Sequence, residues 1–202
     1  MPTLIPFASL PAKPWKNGGG STTEIMVWPQ DAGLNDFDWR ISMATIAVDG
    51  PFSVFPGIDR TLSLVCGQGV DLHITPADAP VRTVALRAAA PTLAFAGELP
   101  VHATLPAGTT QDFNVMTRRT RCHHRFVRMA GEGVWQRTGG LTLLFLAAGA
   151  QARLHIGDDP ANLVLRQCDS LLLNSDDAPF FRLSAADQAQ IEWFVVEIEQ
   201  IS

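Results

Sequence analysis

Apolar residues along this chain recur in short runs, some alternating and some continuous, and Gly, Pro, Asp and Asn interrupt them every ~8–12 residues. That rhythm belongs to an all-β sandwich or barrel rather than to a helical protein. It predicts strands over 23–28, 39–48, 61–66, 70–75, 81–86, 101–105, 112–117 and 124–129, then over 141–147, 152–156, 162–165, 170–173, 180–183 and 191–198. Helix is scarce: Ser184-Ala-Ala-Asp187 predicts one short capped turn and nothing longer.

Two stretches echo each other, 59–74 and 140–156, and each reads as strand, glycine turn, strand. The second continues through Leu163-Val-Leu-Arg-Gln-Cys-Asp-Ser-Leu-Leu-Leu, where Gln167, Cys168 and Asp169 separate two apolar strands as in a barrel meander. The echo predicts two barrels in tandem, residues 1–130 and 131–202, packed as one compact body. The seam is the glycine-rich segment 130–140, and Trp135 within it argues for a linker that packs.

Composition sharpens this picture in a few places. Hydrophobic residues make up 47% of the 202 residues and charged ones 17%, enough apolar material for a sizeable core. The net charge is -5, and the one cluster of basic residues is Arg118, Arg119, Arg121 and Arg125, so nucleic acid is not an expected partner. Cys66, Cys122 and Cys168 are far apart, odd in number and form no CxxC, which predicts neither a disulfide framework nor a zinc ribbon and fits a reducing cytoplasm. Prolines interrupt the first sixteen residues where a signal peptide needs an apolar run, and no stretch reaches the ~18 apolar residues of a membrane span. A cytoplasmic protein without a membrane partner is expected.

Four segments carry chemistry. Trp15-Lys-Asn-Gly-Gly-Gly-Ser-Thr-Thr-Glu24 is a three-glycine turn that can bring backbone amides close to an anion, or can simply be a tight turn pinned by Trp15. It lacks the GxxxxGK[ST] spacing of a nucleotide loop and opens into a strand. In Phe37-Asp-Trp-Arg-Ile-Ser-Met-Ala-Thr-Ile, alternation puts Trp39, Ile41, Met43 and Thr45 on one face and Arg40 and Ser42 on the other. If that second face points into a barrel, Arg40 is a ready partner for a carboxylate; otherwise it faces solvent or pairs with Asp38 or Asp59. Asp49-Gly-Pro-Phe-Ser-Val-Phe-Pro-Gly-Ile-Asp-Arg60 is a double turn that delivers Arg60 to a strand, and Phe52 or Phe55 within it must pack or line a pocket. Gln111-Asp-Phe-Asn-Val-Met-Thr-Arg-Arg119 puts Asp112, Asn114 and Met116 on one face, where an inward-facing acid and amide need a polar ligand or Arg40 as partner, or else face solvent.

Taken together and in this order, these four segments resemble the signature blocks of the HutD/Ves family over residues 15–119. The resemblance implies a cupin-like double barrel, that is, a bicupin of RmlC-like jelly rolls, without the metal-binding cupin motif. The histidines agree: His73, His102 and His155 stand alone, and the adjacent His123 and His124 would point to opposite faces of a strand. Neither a metal nor another cofactor is expected, and no nucleophile elbow or paired carboxylates mark a catalytic centre.

The family is associated with histidine utilisation, and its Ves members with stress responses. The resemblance therefore implies a non-enzymatic binder of a small carboxylate such as urocanate, a formylated amino acid or formate, acting on histidine catabolism. The ligand-binding residues expected are Trp15, Asn17, Arg40, Ser42, Phe52, Asp112 and Asn114. The alternatives are a metal-independent enzyme with Asp112 or Glu24 as general base, a Ves-like stress-response protein, or a filled barrel whose surface binds a protein. A homodimer is the default assembly.

Overall fold

The structure, a computed structural model, describes residues 1–138, 140–159, 162–186 and 190–201. The described residues form strands β1 (Thr3–Ile5), β2 (Ala12–Pro14), β3 (Gly20–Trp28), β4 (Trp39–Ile46), β5 (Gly50–Pro51), β6 (Ile58–Cys66), β7 (Val70–Ile74), β8 (Arg82–Leu86), β9 (Thr92–Ala96) and β10 (Val101–Thr104). They continue with β11 (Thr110–Arg118), β12 (Cys122–Ala130), β13 (Gly133–Gln136), β14 (Leu141–Ala148), β15 (Gln151–Ile156), β16 (Asn162–Arg166), β17 (Ser170–Leu173), β18 (Phe180–Ala185) and β19 (Glu192–Gln200). Every strand expected from the hydrophobic pattern is present. The strands that the pattern does not mark are β1, β2, β5, β9 and β13, of which β1, β2 and β5, with two or three residues, are too short to show a period. The capped turn expected at Ser184–Asp187 lies outside the described residues at its acidic end, while Ser184 itself belongs to β18.

The chain divides into two units. The N-terminal unit holds Pro11–His123, in which a six-stranded sheet, β2-β3-β4-β11-β6-β9, packs on a four-stranded sheet, β5-β10-β7-β8. Ile46, Leu62 and Phe95 from the first sheet meet Val70, Leu72, Ile74, Leu86, Val101 and Ala103 from the second. The C-terminal unit holds Met1–Leu10 and His124–Gln200, with a five-stranded sheet, β1-β17-β14-β19-β12, and a four-stranded one, β13-β18-β15-β16. Leu144, Leu146, Leu171, Leu173, Trp193 and Val195 interdigitate there with Leu154, Leu165, Phe181 and Leu183.

These limits differ from the expected division at residue 130. The first ten residues belong with the later unit because β1 completes a ladder on β17, with Leu4 opposite Leu171, and because the Phe7 amide donates to Asp169 Oδ1 at 2.9 Å. Most of β12 belongs there too, at the edge of the sheet next to β19. Strand membership follows the hydrogen-bond ladder, which sequence position does not reveal.

The two echoing stretches have a common structural meaning. In each unit the chain leaves the larger sheet (β6 or β14), turns on glycine and enters the smaller sheet (β7 or β15). The turns need left-handed backbone: φ is +99° at Gly67, +100° at Gly69 and +99° at Gly149.

The three-glycine turn shows two different demands on glycine. Gly18 has a φ of +70° with open space around it, whereas a Cβ on Gly20 would lie 2.1 Å from the Thr45 carbonyl oxygen on the paired strand. The first demand is a conformational preference and the second a backbone collision. Gly18→Ala is therefore expected to cost about 1–2 kcal/mol and Gly20→Ala more than that. Urea midpoints that place the two variants together would contradict this assignment.

Candidate functional site

The strand register of the six-stranded sheet builds a polar surface on its cavity-facing side. Antiparallel pairing sets Ala44, Ser42 and Arg40 of β4 opposite Asp112, Asn114 and Met116 of β11. These in turn face Leu64, Leu62 and Arg60 of β6, and on the other side Thr22 and Glu24 of β3 stand opposite Ala44 and Ser42. Since side chains alternate across a strand, the intervening Ile41, Met43, Phe113 and Val115 all point the other way and are themselves buried. The polar row is therefore held between buried neighbours, and a one-residue slip would exchange the two sets.

This surface is the floor of a cavity of about 710 Å³, within the range of small-molecule sites. Trp15, Asn17, Arg40, Ser42, Phe52, Asp112 and Asn114, the residues expected to bind a ligand, all line it. Lys13, Lys16, Glu24 and Arg60 line it as well. The lining thus carries four basic side chains against two acidic ones, in a protein whose net charge is -5.

Details differ from expectation. Arg40 pairs with neither Asp38 nor Asp59: its Nε donates to Glu24 Oε2 at 2.7 Å, while Asp59 is bound by Arg119 at 2.7 Å. The glycine turn is no free anion cradle, since the Gly18 amide donates to the Trp15 carbonyl and the Gly19 amide to Asn17 Oδ1, both at 3.0 Å. Asn17 thus has a structural task at the rim. Trp15 is fixed by its indole N–H, which donates to Thr22 Oγ1 at 2.8 Å.

Of Lys13, Lys16 and Arg60, which the sequence reading does not place in the site, Arg60 is the buried one. Its guanidinium lies 5.5 Å from the ring centres of Phe52 and Phe55 and 5.0 Å from that of Phe95. The double turn 49–60 explains itself here: its two phenylalanines wall in the arginine at its end. A signal is present in the sequence, because Arg60 alternates with Leu62 and Leu64 on one face, but only the β6–β11 register puts that face beside Asp112.

Desolvation dominates the electrostatics. Burial lowers the Arg60 pKa to about 10, against the raising effect of Asp112 and together with repulsion from Arg40. Burial likewise pushes the Asp112 carboxyl up to about 7, with Arg60 pulling in the opposite direction. Both carboxyl oxygens of Asp112, the Asn114 Oδ1 and the Arg60 Nε are buried without a hydrogen-bond partner. The strand pattern alone offers Asp112 and Asn114 either a ligand or Arg40 as partner, and Arg40 is engaged by Glu24 instead.

Among the described residues no group of three or more His, Cys, Asp or Glu side chains is arranged to hold a metal ion. His73 uses both ring nitrogens on Thr83 and Thr104, at 2.9 and 3.0 Å.

The two two-sheet β units place the chain in the cupin-like fold class. An oxalate decarboxylase from Lactobacillus farciminis shares the fold at a TM-score of 0.68 over 98% of this chain and 88% of that one, with 6% identity. Within that class the HutD family pattern matches residues 8–192, and the chain belongs to the HutD family. The structure of HutD from Pseudomonas fluorescens SBW25, solved in a formate condition, matches at a TM-score of 0.81 and 25% identity over the whole of both chains. A conserved protein of unknown function from Pseudomonas aeruginosa PAO1 matches at 0.82 and 29%, again over both whole chains.

Among curated relatives, a Pseudomonas putida protein described by its place in the hutC 3' region is 33% identical over 82% of this chain and 84% of its own. Protein Ves of Citrobacter koseri is 40% identical over 122 residues, and that match spans 60% of each chain.

The Asp112 environment makes a prediction about stability. With a folded pKa of about 7 against an ordinary 3.8, the folded state holds this proton more tightly than the unfolded chain does. The group costs nothing below its unfolded pKa, costs progressively more as pH rises toward about 7, and levels off above. Asp112→Asn removes that dependence, so its stability relative to wild type should rise by up to about 1.4 kcal/mol per pH unit across that window. Urea unfolding of both proteins across this range checks it; a constant difference would mean the carboxyl is compensated in the folded state.

Proposed function

We propose that this protein binds a small carboxylate metabolite in the cavity of its N-terminal unit, without converting it, and thereby modulates histidine utilisation. The observation that carries the reading is the set of buried polar atoms left without partners on the cavity floor, beside two guanidinium groups. Buried polar atoms are nearly always satisfied, so these, the Asp112 and Asn114 oxygens as acceptors and Arg60 Nε as donor, argue for a polar ligand that donates as well as accepts. The basic excess of the lining favours an anion, and the flat guanidinium geometry suits a carboxylate.

The pathway rests on the family and on the hutC-linked relative. Formate, named in the conditions of the Pseudomonas fluorescens HutD structure, is the smallest member of the ligand class. The cavity of about 710 Å³ also has room for urocanate or a formylated amino acid.

A charge-assisted hydrogen bond contributes about 1.5–3 kcal/mol, so millimolar to micromolar affinity is natural for so small a ligand. Purified protein titrated with formate, urocanate, histidine and formylglutamate should show saturable binding to at least one acid by calorimetry. A matching rise in melting temperature should accompany it. Arg40→Ala should weaken that binding by at least about tenfold with the fold intact by circular dichroism. Unchanged affinity in this variant would remove Arg40 from the site.

A second reading has one observation in its favour. A carboxyl with a pKa near 7 suits a general base, as a metal-independent enzyme acting on the same acids would require. Against it, the other carboxylate of the lining, Glu24, is held in an ion pair with Arg40. Turnover of formylglutamate by wild type, lost in Asp112→Asn, would favour the enzyme over the binder.

A further inference from the structure

Asp112 has no task in simple anion capture. A carboxylate on the floor of an anion site repels the ligand that the neighbouring guanidinium groups attract. It is nevertheless 1% exposed, with neither oxygen hydrogen-bonded, and occupies the middle of the polar row, next to Asn114 on the same strand face. The charged groups around it are Arg60 on β6, Arg40 on β4 and Glu24 on β3, with Lys13 on β2 and Lys16 in the following turn. Glu24 is ion-paired with Arg40, while Asp112 has only the through-space pull of Arg60. Among the described residues that line the cavity there is no histidine.

We propose that the cavity takes up its anion together with one proton from solvent, the proton going to Asp112. The inference rests on the anion-binding reading above and concerns how that site is regulated. An arriving carboxylate adds a second negative charge to a low-dielectric floor where Asp112 is already poorly compensated, and protonating Asp112 removes the repulsion. The bound anion inherits the attraction of Arg60 that the Asp112 carboxylate held before. No bond to the ligand forms or breaks; the only transfer is one proton from water or buffer to a carboxylate oxygen.

The burial that raises the Asp112 pKa to about 7 places this exchange near neutrality. Below that value the free protein already carries the proton, and affinity is indifferent to pH. Above it each anion must bring a proton, and affinity falls by up to about tenfold per pH unit. The site therefore responds to small changes of pH around neutrality with a change in ligand occupancy.

Isothermal calorimetry with formate and with formylglutamate, both fully ionised throughout, tests this. Each titration is made at about pH 6 and pH 8 in two buffers of different ionisation enthalpy. The expected result is proton uptake near zero at the lower pH and approaching one per anion at the higher, with the affinity falling in step. Asp112→Asn, neutral at every pH, should bind with no proton uptake and nearly constant affinity. Anion binding by wild type with no proton uptake at the higher pH would overturn this inference while leaving the site reading intact. So would proton uptake that persists in Asp112→Asn. No binding of either acid at any pH would overturn this inference, and failure of urocanate and histidine as well would overturn the site reading too. The wild-type titrations decide the matter even if the variant does not fold.

Discussion

A guanidinium that is only 5% exposed sets the terms for the N-terminal unit. Removing such an ion from water costs several kcal/mol, and the surroundings of Arg60 are organised around that cost. Three phenylalanine rings lie close enough for cation–π contact, and the Ser53 carbonyl accepts from Nη1 at 3.4 Å. The one nearby carboxyl, Asp112, is itself so buried that it retains its proton up to about pH 7. Neither charge fully compensates the other, and the proposed anion site rests on the residual positive potential. A well-satisfied ion pair in the same place would have been a structural element with nothing left to offer a ligand.

The C-terminal unit solves the same architectural problem in the opposite way. Its interior is filled by leucine, phenylalanine and tryptophan side chains. Its buried arginine, Arg137, is fully engaged: Nε donates to Thr142 Oγ1, and the terminal nitrogens donate to the carbonyls of Asp177, Ala178, Gly140, Leu173 and Asn174. Five carbonyl acceptors make this arginine a staple for loops. Two units of the same architecture thus use a buried guanidinium for unlike ends, and the difference lies in whether backbone acceptors surround it.

Much of the candidate site is legible in the order of residues alone, because a strand's period is two. Arg40 and Ser42 share a face by arithmetic, as do Asp112 and Asn114, but alternation alone leaves open whether that face points into a barrel or to solvent. Short strands are illegible for the same reason: β5 has two residues and β1 and β2 only three, too few for alternation to show. The pattern marks Arg60 as the start of a strand and Glu24 as a possible base, yet it assigns neither of them its actual partner. Which residues lie across from one another depends on register, including the irregularity between Glu24 and Met26 that shifts the β3–β4 pairing.

The sequence by itself therefore determined the all-β class, the tandem echo of strand, glycine turn and strand, and the identity of the residues facing each way along each strand. These are local properties, set by alternation and by the backbone demands of glycine. Tertiary structure decided that Glu24 and not Asp59 binds Arg40, that Arg60 joins the site, and that Asp112 is left without a hydrogen bond. It also decided that the first ten residues complete the second unit rather than the first. All of these follow from which strands pair and in what register, and from how far the paired charges are removed from water. Such long-range quantities have no signature in the order of residues along one strand.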